Sequence, residues 1–283
     1  MDAVIYSKND PAGFNIAEKL RERLRFEKSE FKDEKIKIEE STINRKLIFL
    51  IETEESIIDF NLPQIIENVE TIICASKHAS QKGIPVLTTH APGNFSTADF
   101  GGEPEKLSIA NPNGMKIALK KMNELNTKFE KNYQVSYEVT HHGPTFDKPV
   151  MFIEVGGSNE QWMDLEAADI VSQAIIEVLS TTIKPSEVSI GVGGGHYAPA
   201  FTKIVIETNH LIGHIIPKYK LSQLKKEMFF KTVESNLGFC KNILIDWNGT
   251  PGWIRSEIIN WSRELGLEVL KTSDISTSKH ILE

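Results

Sequence analysis

The chain has 283 residues, with 32 Lys and Arg against 39 Asp and Glu, a formal charge of −7 that allows one large domain or two small ones with ample material for a core. Its two cysteines, Cys74 and Cys240, are too few for a disulfide framework or a paired-cysteine zinc site and suit a reducing compartment. No basic-then-apolar leader opens the chain, no apolar run approaches the roughly 18 residues that span a bilayer, and the acidic balance argues against binding nucleic acid through overall charge, so a soluble cytoplasmic protein is expected.

Val4 to Tyr6 is the first short β-branched run and predicts a strand. From Glu18 to Glu40 eight basic and eight acidic side chains cancel, which predicts a solvated helix or hairpin. Strands are then predicted at Leu47 to Ile51, Thr71 to Ala75 and Pro85 to Thr88, followed by a helix from Pro112 to Leu125, opened by a first-turn proline. Two more strands follow, Val135 to Val139 and Val150 to Val155. A helix from Trp162 to Leu179 aligns Leu165, Ala168, Val171, Ile175 and Val178 on one face. The remainder alternates: strands at Val188 to Val192, Ile212 to Ile216, Asn242 to Ile245 and Leu267 to Leu270, with helices at Leu221 to Ser235 and Pro251 to Leu265. This alternation predicts an α/β fold, with a mostly parallel central sheet flanked by helices, as one domain over 1–283 that could hold a smaller inserted subdomain.

In such folds ligands sit on the loops after the strands. Reading past the strands gives Ser76-Lys77-His78, His90 with Pro92-Gly93-Asn94, His141-His142-Gly143-Pro144, Gly156-Gly157-Ser158, and Gly193-Gly194-Gly195-His196-Tyr197. Four of these five segments carry histidine, which solvated loops rarely do. Dinucleotide, phosphate-loop, nucleophile-elbow and His-Glu-x-x-His signatures all fail on the residues present. Several histidines, or histidine with Glu154, could hold zinc and leave a position for an activated water, or one could act as a general base. Taken singly, any histidine could equally be a surface or hydrogen-bonded core residue, and His210, in a turn, and His280, in the tail, read that way. His141 and His142 are neighbours, so only one faces the site unless the strand has ended before them. The triple glycine could converge backbone N–H groups on an anion, or merely form a tight turn.

The run from Gly191 to Pro199, with Phe201-Thr202, resembles the signature of the archaeal and plant type of D-aminoacyl-tRNA deacylase. The resemblance extends to Ser76-Lys77-His78, His90 with Pro92-Gly93-Asn94, His141 to Pro144, Glu154, Gly213-His214-Ile215 with Pro217-Lys218, and Asp246-Trp247, and so covers most of the chain. It implies a fold of the phosphorylase and peptidyl-tRNA-hydrolase kind, and a zinc-dependent esterase that frees a D-amino acid from the tRNA 3′ end. His78, His142, His196 and Glu154 are then the candidate catalytic residues. His90, His141, His142, His196, His214 and Glu154 are the candidate zinc ligands. Ser76, Lys77, Gly193, Gly194, Gly195, Tyr197 and Lys218 are the candidate substrate contacts, with Lys77 or the glycine N–H groups holding the oxyanion. Ala200 stands where the pattern has Arg and Asn248 where it has Lys, each removing a possible phosphate contact. The implied partner is D-aminoacyl-tRNA, with no DNA and no membrane, and the chain is expected to act as a monomer. Two lysine-rich segments, from Met115 to Lys131 and from Lys218 to Lys231, offer the tRNA a local basic surface. The rival readings are a metal- or phosphate-dependent small-molecule hydrolase, a nucleoside-phosphorylase-like enzyme on a similar fold, and a non-catalytic RNA-binding module.

Overall fold

The structure is a computed structural model that describes residues 1–31, 35–63, 68–79 and 83–275. In chain order the elements are β1 (Asp2–Ser7), α1 (Pro11–Arg23), β2 (Glu27–Lys28), β3 (Ile36–Ile43), β4 (Lys46–Thr53), β5 (Thr71–Ala79), β6 (Val86–His90) and β7 (Ile109–Ala110). Next come α2 (Pro112–Lys128), β8 (Gln134–Tyr137), β9 (Pro149–Gly157), α3 (Asn159–Trp162), α4 (Leu165–Ser180), β10 (Ser186–Val192) and α5 (Pro199–Glu207). The chain continues through β11 (Ile212–Ile216), α6 (Lys226–Glu234), β12 (Gly238–Ile245), α7 (Gly252–Glu264) and β13 (Glu268–Lys271). His280 lies outside the described residues.

All ten predicted strand runs fall on strands, but the helices are cut differently. The helix read from Trp162 breaks into α3 and α4, because the Asp164 side chain accepts from the N–H groups of Glu166 and Ala167 and starts a new helix. Leu165 on its predicted face is 53 % exposed, while Ala168, Val171, Ile175 and Val178 are buried. The charge-balanced stretch is both things expected of it: the end of α1, then the β2–β3 pair, with Ile36 and Ile38 turned inward. Two helices escaped the periodicity. In α1, Asp10 caps Gly13 and Pro11 opens the first turn, and α5 opens on Pro199.

Nine strands form one sheet, ordered β2-β3-β4-β1-β5-β9-β6-β8 with β7 also on β9. Neighbours from β4 through β9 run parallel, and β6 reverses against β9. A second sheet, β11-β10-β12-β13, is parallel throughout. Helices α1, α2 and α4 cover one face of the large sheet in a core that continues to Ile212, Ile215 and Leu244 of the small one. The outer face of the small sheet packs on α6 and α7 through Met228, Phe229, Ile254 and Ile258. The other face of the large sheet carries a smaller apolar cluster, including Phe49, Cys74, Phe146 and Phe152, with Ile57 of the short 3-10 turn Ile57–Asp59 packed into it. Among the described residues no helix is long and apolar enough to cross a membrane.

Candidate active site and metal centre

This second face of the large sheet carries the chemistry. Register pairs Ser76 with Glu154 and His78 with Gly156 across β5 and β9, and pairs Thr88 with Glu154 and His90 with Phe152 across β6 and β9. Paired residues share a face, so His78, Ser76, Glu154 and His90 form one row beside the ring of Phe152, whose centroid lies 4.9 Å from that of His90. Gly156 leaves the space for His78: a Cβ there would lie 3.2 Å from that of His78 and 2.5 Å from Val86 Cγ1. These groups therefore sit on the sheet as well as past its strand ends.

Three loops bring the remaining members. Strand β8 ends at Tyr137, before the paired histidines, and His142 takes a φ of 42°, so both rings turn to the same side with centroids 4.3 Å apart. After β10 the chain reverses through Gly193 and Gly194, with φ of 99° and 86°, and Tyr197 bridges to Glu138 while Val139 N–H donates to the His196 carbonyl at 3.0 Å. The result is seven side chains: His78, His90, His141, His142, His196, Glu138 and Glu154, in overlapping groups whose ligand atoms lie within 4.8 Å of one another. Five of them, His78, His141, His142, His196 and Glu154, line a cleft of about 1280 Å³, and Glu138 and His90 are buried against these.

Sequence reading did not single out Glu138. It is 1 % exposed, with Oε2 2.9 Å from His196 Nε2 and 3.5 Å from His141 Nε2, and Oε1 3.2 Å from His78 Nδ1. Its one sequence signal is an acid in a β-branched run, alternating with Tyr137 and three residues before His141.

The donors face one another with few protons between them. His141 Nδ1 lies 2.8 Å from the Val139 carbonyl and His142 Nδ1 2.5 Å from that of Gly143, which assigns the proton to Nδ1 in each ring and a lone pair to each Nε2. Ser76 donates to Glu154 Oε1 at 2.5 Å, leaving Oε2 facing His90 Nε2 at 3.5 Å. The inward atoms of His78, His90, His196, Glu138 and Glu154 are buried without hydrogen-bond partners; even the 2.9 Å contact of His196 with Glu138 has ion-pair proximity without hydrogen-bond alignment. Burial works to raise Glu138, but His196 and the His78 and His90 charges hold its carboxyl below the usual range. Burial and the neighbouring His90 push His142 down to about 4, and His141 is likewise lowered. Two buried carboxylates need compensating positive charge, which protonated imidazoles beside them or a bound cation can supply.

Several expected contacts lie elsewhere. His214 is fully buried outside the cluster: Nε2–H donates to the Ser108 carbonyl at 2.9 Å and Nδ1 accepts from Thr140 at 3.0 Å, so neither nitrogen is available to a metal. Gly193 N–H donates to the Ile216 carbonyl, which removes it from any anion cradle, and only Gly195 of the three glycines lines the cleft, beside Tyr197. Lys77 lines the cleft, but strand alternation turns it away from Ser76 and His78, and its ammonium lies 5.1 Å over the Trp162 ring. Lys218 is exposed beyond the lining, where Tyr219 and Lys220 stand instead. His210 is half-buried near Lys116, apart from the cluster. Trp247 lies outside the cleft, with Arg255 and Lys271 over its ring.

His214 carries a separate prediction. Burial pushes it down to about 4, against about 6.5 when unfolded, so the unfolded chain binds the extra proton between those values and stability falls as pH drops through that window. The difference in unfolding free energy between the wild type and His214→Gln is expected to shrink by about 3 kcal/mol from pH 7 to pH 4, measured by urea unfolding. A constant difference would show that His214 is already charged in the fold.

The family model described as D-aminoacyl-tRNA deacylase matches residues 65–270. Proteins named D-aminoacyl-tRNA deacylase from Thermococcus onnurineus and Pyrococcus furiosus are 39 % and 37 % identical to this chain over 280 and 278 residues, covering 96 % of it and 100 % of each relative. The crystal structure of a conserved protein described as of unknown function matches with a TM-score of 0.87 at 30 % identity, covering 100 % of this chain and 99 % of that one. A family model matching most of the chain, together with relatives aligned from end to end, establishes that it belongs to the D-aminoacyl-tRNA deacylase family.

Proposed function

We propose that the chain hydrolyses the ester between a D-amino acid and the tRNA 3′ end, releasing both, with the histidine and glutamate cluster as its centre and zinc as its metal. The observation that carries this reading is the convergence of five imidazoles and two buried carboxylates at one wall of the cleft, several of their donor atoms buried without a hydrogen-bond partner. The donor set suits zinc, which takes imidazole nitrogen and carboxylate oxygen. His78, Glu138, His141 and His196 form the fullest group, and any three of them would leave the open position a catalytic site needs. When bound, zinc supplies a Lewis acid and lowers the pKa of a coordinated water to about 7.

The chain's own groups do the rest. Glu154, held through Oε1 by Ser76, presents Oε2 as the atom that takes a proton from the attacking water. His142, neutral at pH 7 with its Nε2 lone pair turned inward, accepts a hydrogen bond and orients that water or a terminal ribose hydroxyl. An aminoacyl ester is already activated, so this positioning and proton transfer meet most of what the reaction needs.

Matched D- and L-aminoacyl-tRNA, incubated with the zinc-loaded protein and followed by release of labelled amino acid, are expected to give release from the D form alone. Equal release from both would remove the chiral assignment. No release from either, with turnover of simple esters, would point to a small-molecule hydrolase.

A further inference from the structure

We infer that the turn Lys218-Tyr219-Lys220 seats the 3′-terminal nucleotide of the tRNA, the Tyr219 ring stacking on its base and the two ammonium groups meeting its phosphate; this rests on the deacylase reading above. Tyr219 is 52 % exposed although it lines the cleft, which is unusual for a large ring with nothing to cover. It stands on the turn that leaves β11, and that turn is anchored: Lys218 N–H donates to the Gly194 carbonyl and Lys220 N–H to the Pro217 carbonyl, both at 3.0 Å. Gly194 belongs to the reversal that delivers His196, so the ring is registered to the cluster through two residues of backbone.

Charge separates this turn from part of the lysine-rich surface. Lys225 pairs with Glu105 and Lys226 with Glu264, both at 2.5 Å, Lys231 reaches the Glu105 carbonyl, Lys121 pairs with Glu124, and Lys131 pairs with Asp164 and Glu166. Lys116 donates to the Thr208 and His210 carbonyls instead of reaching solvent. Of the two segments that look basic in the sequence, Lys121, Lys131, Lys225 and Lys226 are thus tied to carboxylates where they stand. Among the described residues neither Lys218 nor Lys220 pairs with a carboxylate, and Lys220 Nζ instead donates to Ser96 Oγ at 2.8 Å. An exposed ring flanked in the chain by two lysines that pair with no carboxylate matches a nucleotide, which offers a π face and an anion together.

The test compares wild type, Tyr219→Leu, Tyr219→Phe and Lys220→Gln, all zinc-loaded, in two assays. One is fluorescence anisotropy with an uncharged oligoribonucleotide ending in CCA; the other is steady-state kinetics on a D-aminoacyl-tRNA and on the ethyl ester of the same D-amino acid. Tyr219→Leu is expected to raise both the Kd for the RNA and the KM for the charged tRNA roughly 5- to 100-fold, the range measured for one base stacked on an aromatic ring. Its kcat should stay near wild type, Tyr219→Phe should keep wild-type binding because the ring is retained, and the ethyl ester should not distinguish the proteins. Lys220→Gln should lower the slope of log Kd against log salt by about one. RNA binding unchanged in Tyr219→Leu overturns the inference, as does equal loss on the ethyl ester, which would place Tyr219 at the amino acid. Wild-type protein that binds the RNA through Tyr219 yet releases nothing from charged tRNA would defeat the deacylase reading and leave this one standing.

Discussion

Replacing Glu138 by glutamine is expected to lower deacylation at least about a thousandfold, a loss of about 4 kcal/mol of transition-state stabilisation, while the fold is retained. The amide keeps the volume but removes the charge, and its NH2 group would point a donor at atoms now facing a carboxylate. Glu138 is the member that touches the most others, with His78, His141 and His196 all within 3.5 Å of its oxygens. Loss of this one group should therefore disturb three imidazoles and remove a negative charge from the proposed zinc set. Zinc content by plasma emission should fall with activity in the purified variant. Glu138→Gln that retained both would show that Glu138 only balances charge, and that the ligands lie in the His90, His141 and His142 group.

Stripping the metal is expected to have an effect of the same order, again about a thousandfold on kcat, and to be reversed by adding zinc. The reason is structural as well as chemical. Without a cation the inward atoms of His78, His90, His196, Glu138 and Glu154 are left without hydrogen bonds in a buried site. Ligand binding to the native state alone adds about 4 kcal/mol of stability when zinc stands at a thousand times its dissociation constant, so the melting temperature should rise with added zinc. Calorimetry on the chelated protein reads this without turnover. Full activity after chelation with no thermal response to zinc would remove the metal from the mechanism and leave Glu154 and His142 to activate water alone.

The partly hidden basic surface bears on how the tRNA is held. A formal charge of −7 and lysines tied to Glu105, Glu124, Glu166 and Glu264 weaken non-specific attraction. Surface ion pairs of this sort add at most about 1 kcal/mol to stability, but they remove cations from the reach of phosphate. Recognition is then concentrated at the cleft, where Tyr219 and Lys220 line its wall.

Much of the fold was legible because its signals are local. Strands such as β1, β5, β9 and β10 are short β-branched runs bounded by turn residues, and their burial follows from that composition. Helix α1 was not legible, because PAGFNIAEKLRER is polar on average and includes Gly13 where the helix backs closely on Ala75. Strand β3 hid in a charge-rich stretch, since an edge region of the sheet buries only alternate residues such as Ile36 and Ile38. The motifs at the strand ends likewise drew attention to His78, His90, His141, His142, His196 and Glu154 before any geometry was known.

Sequence by itself determined the residue types of the centre, the strands that carry them and the family they resemble. Tertiary structure alone decided which of them meet. His214 looks like its neighbours in the sequence, yet Ser108 and Thr140, distant in the chain, occupy both its nitrogens. Glu138 looks like one more strand residue, yet the Gly193-Gly194 reversal and the bridge to Tyr197 lay His196 against it. Side-chain type and strand period are properties of a local stretch, whereas a ligand set depends on register between strands far apart in sequence. That register is set by packing over the whole sheet, which no window of residues contains.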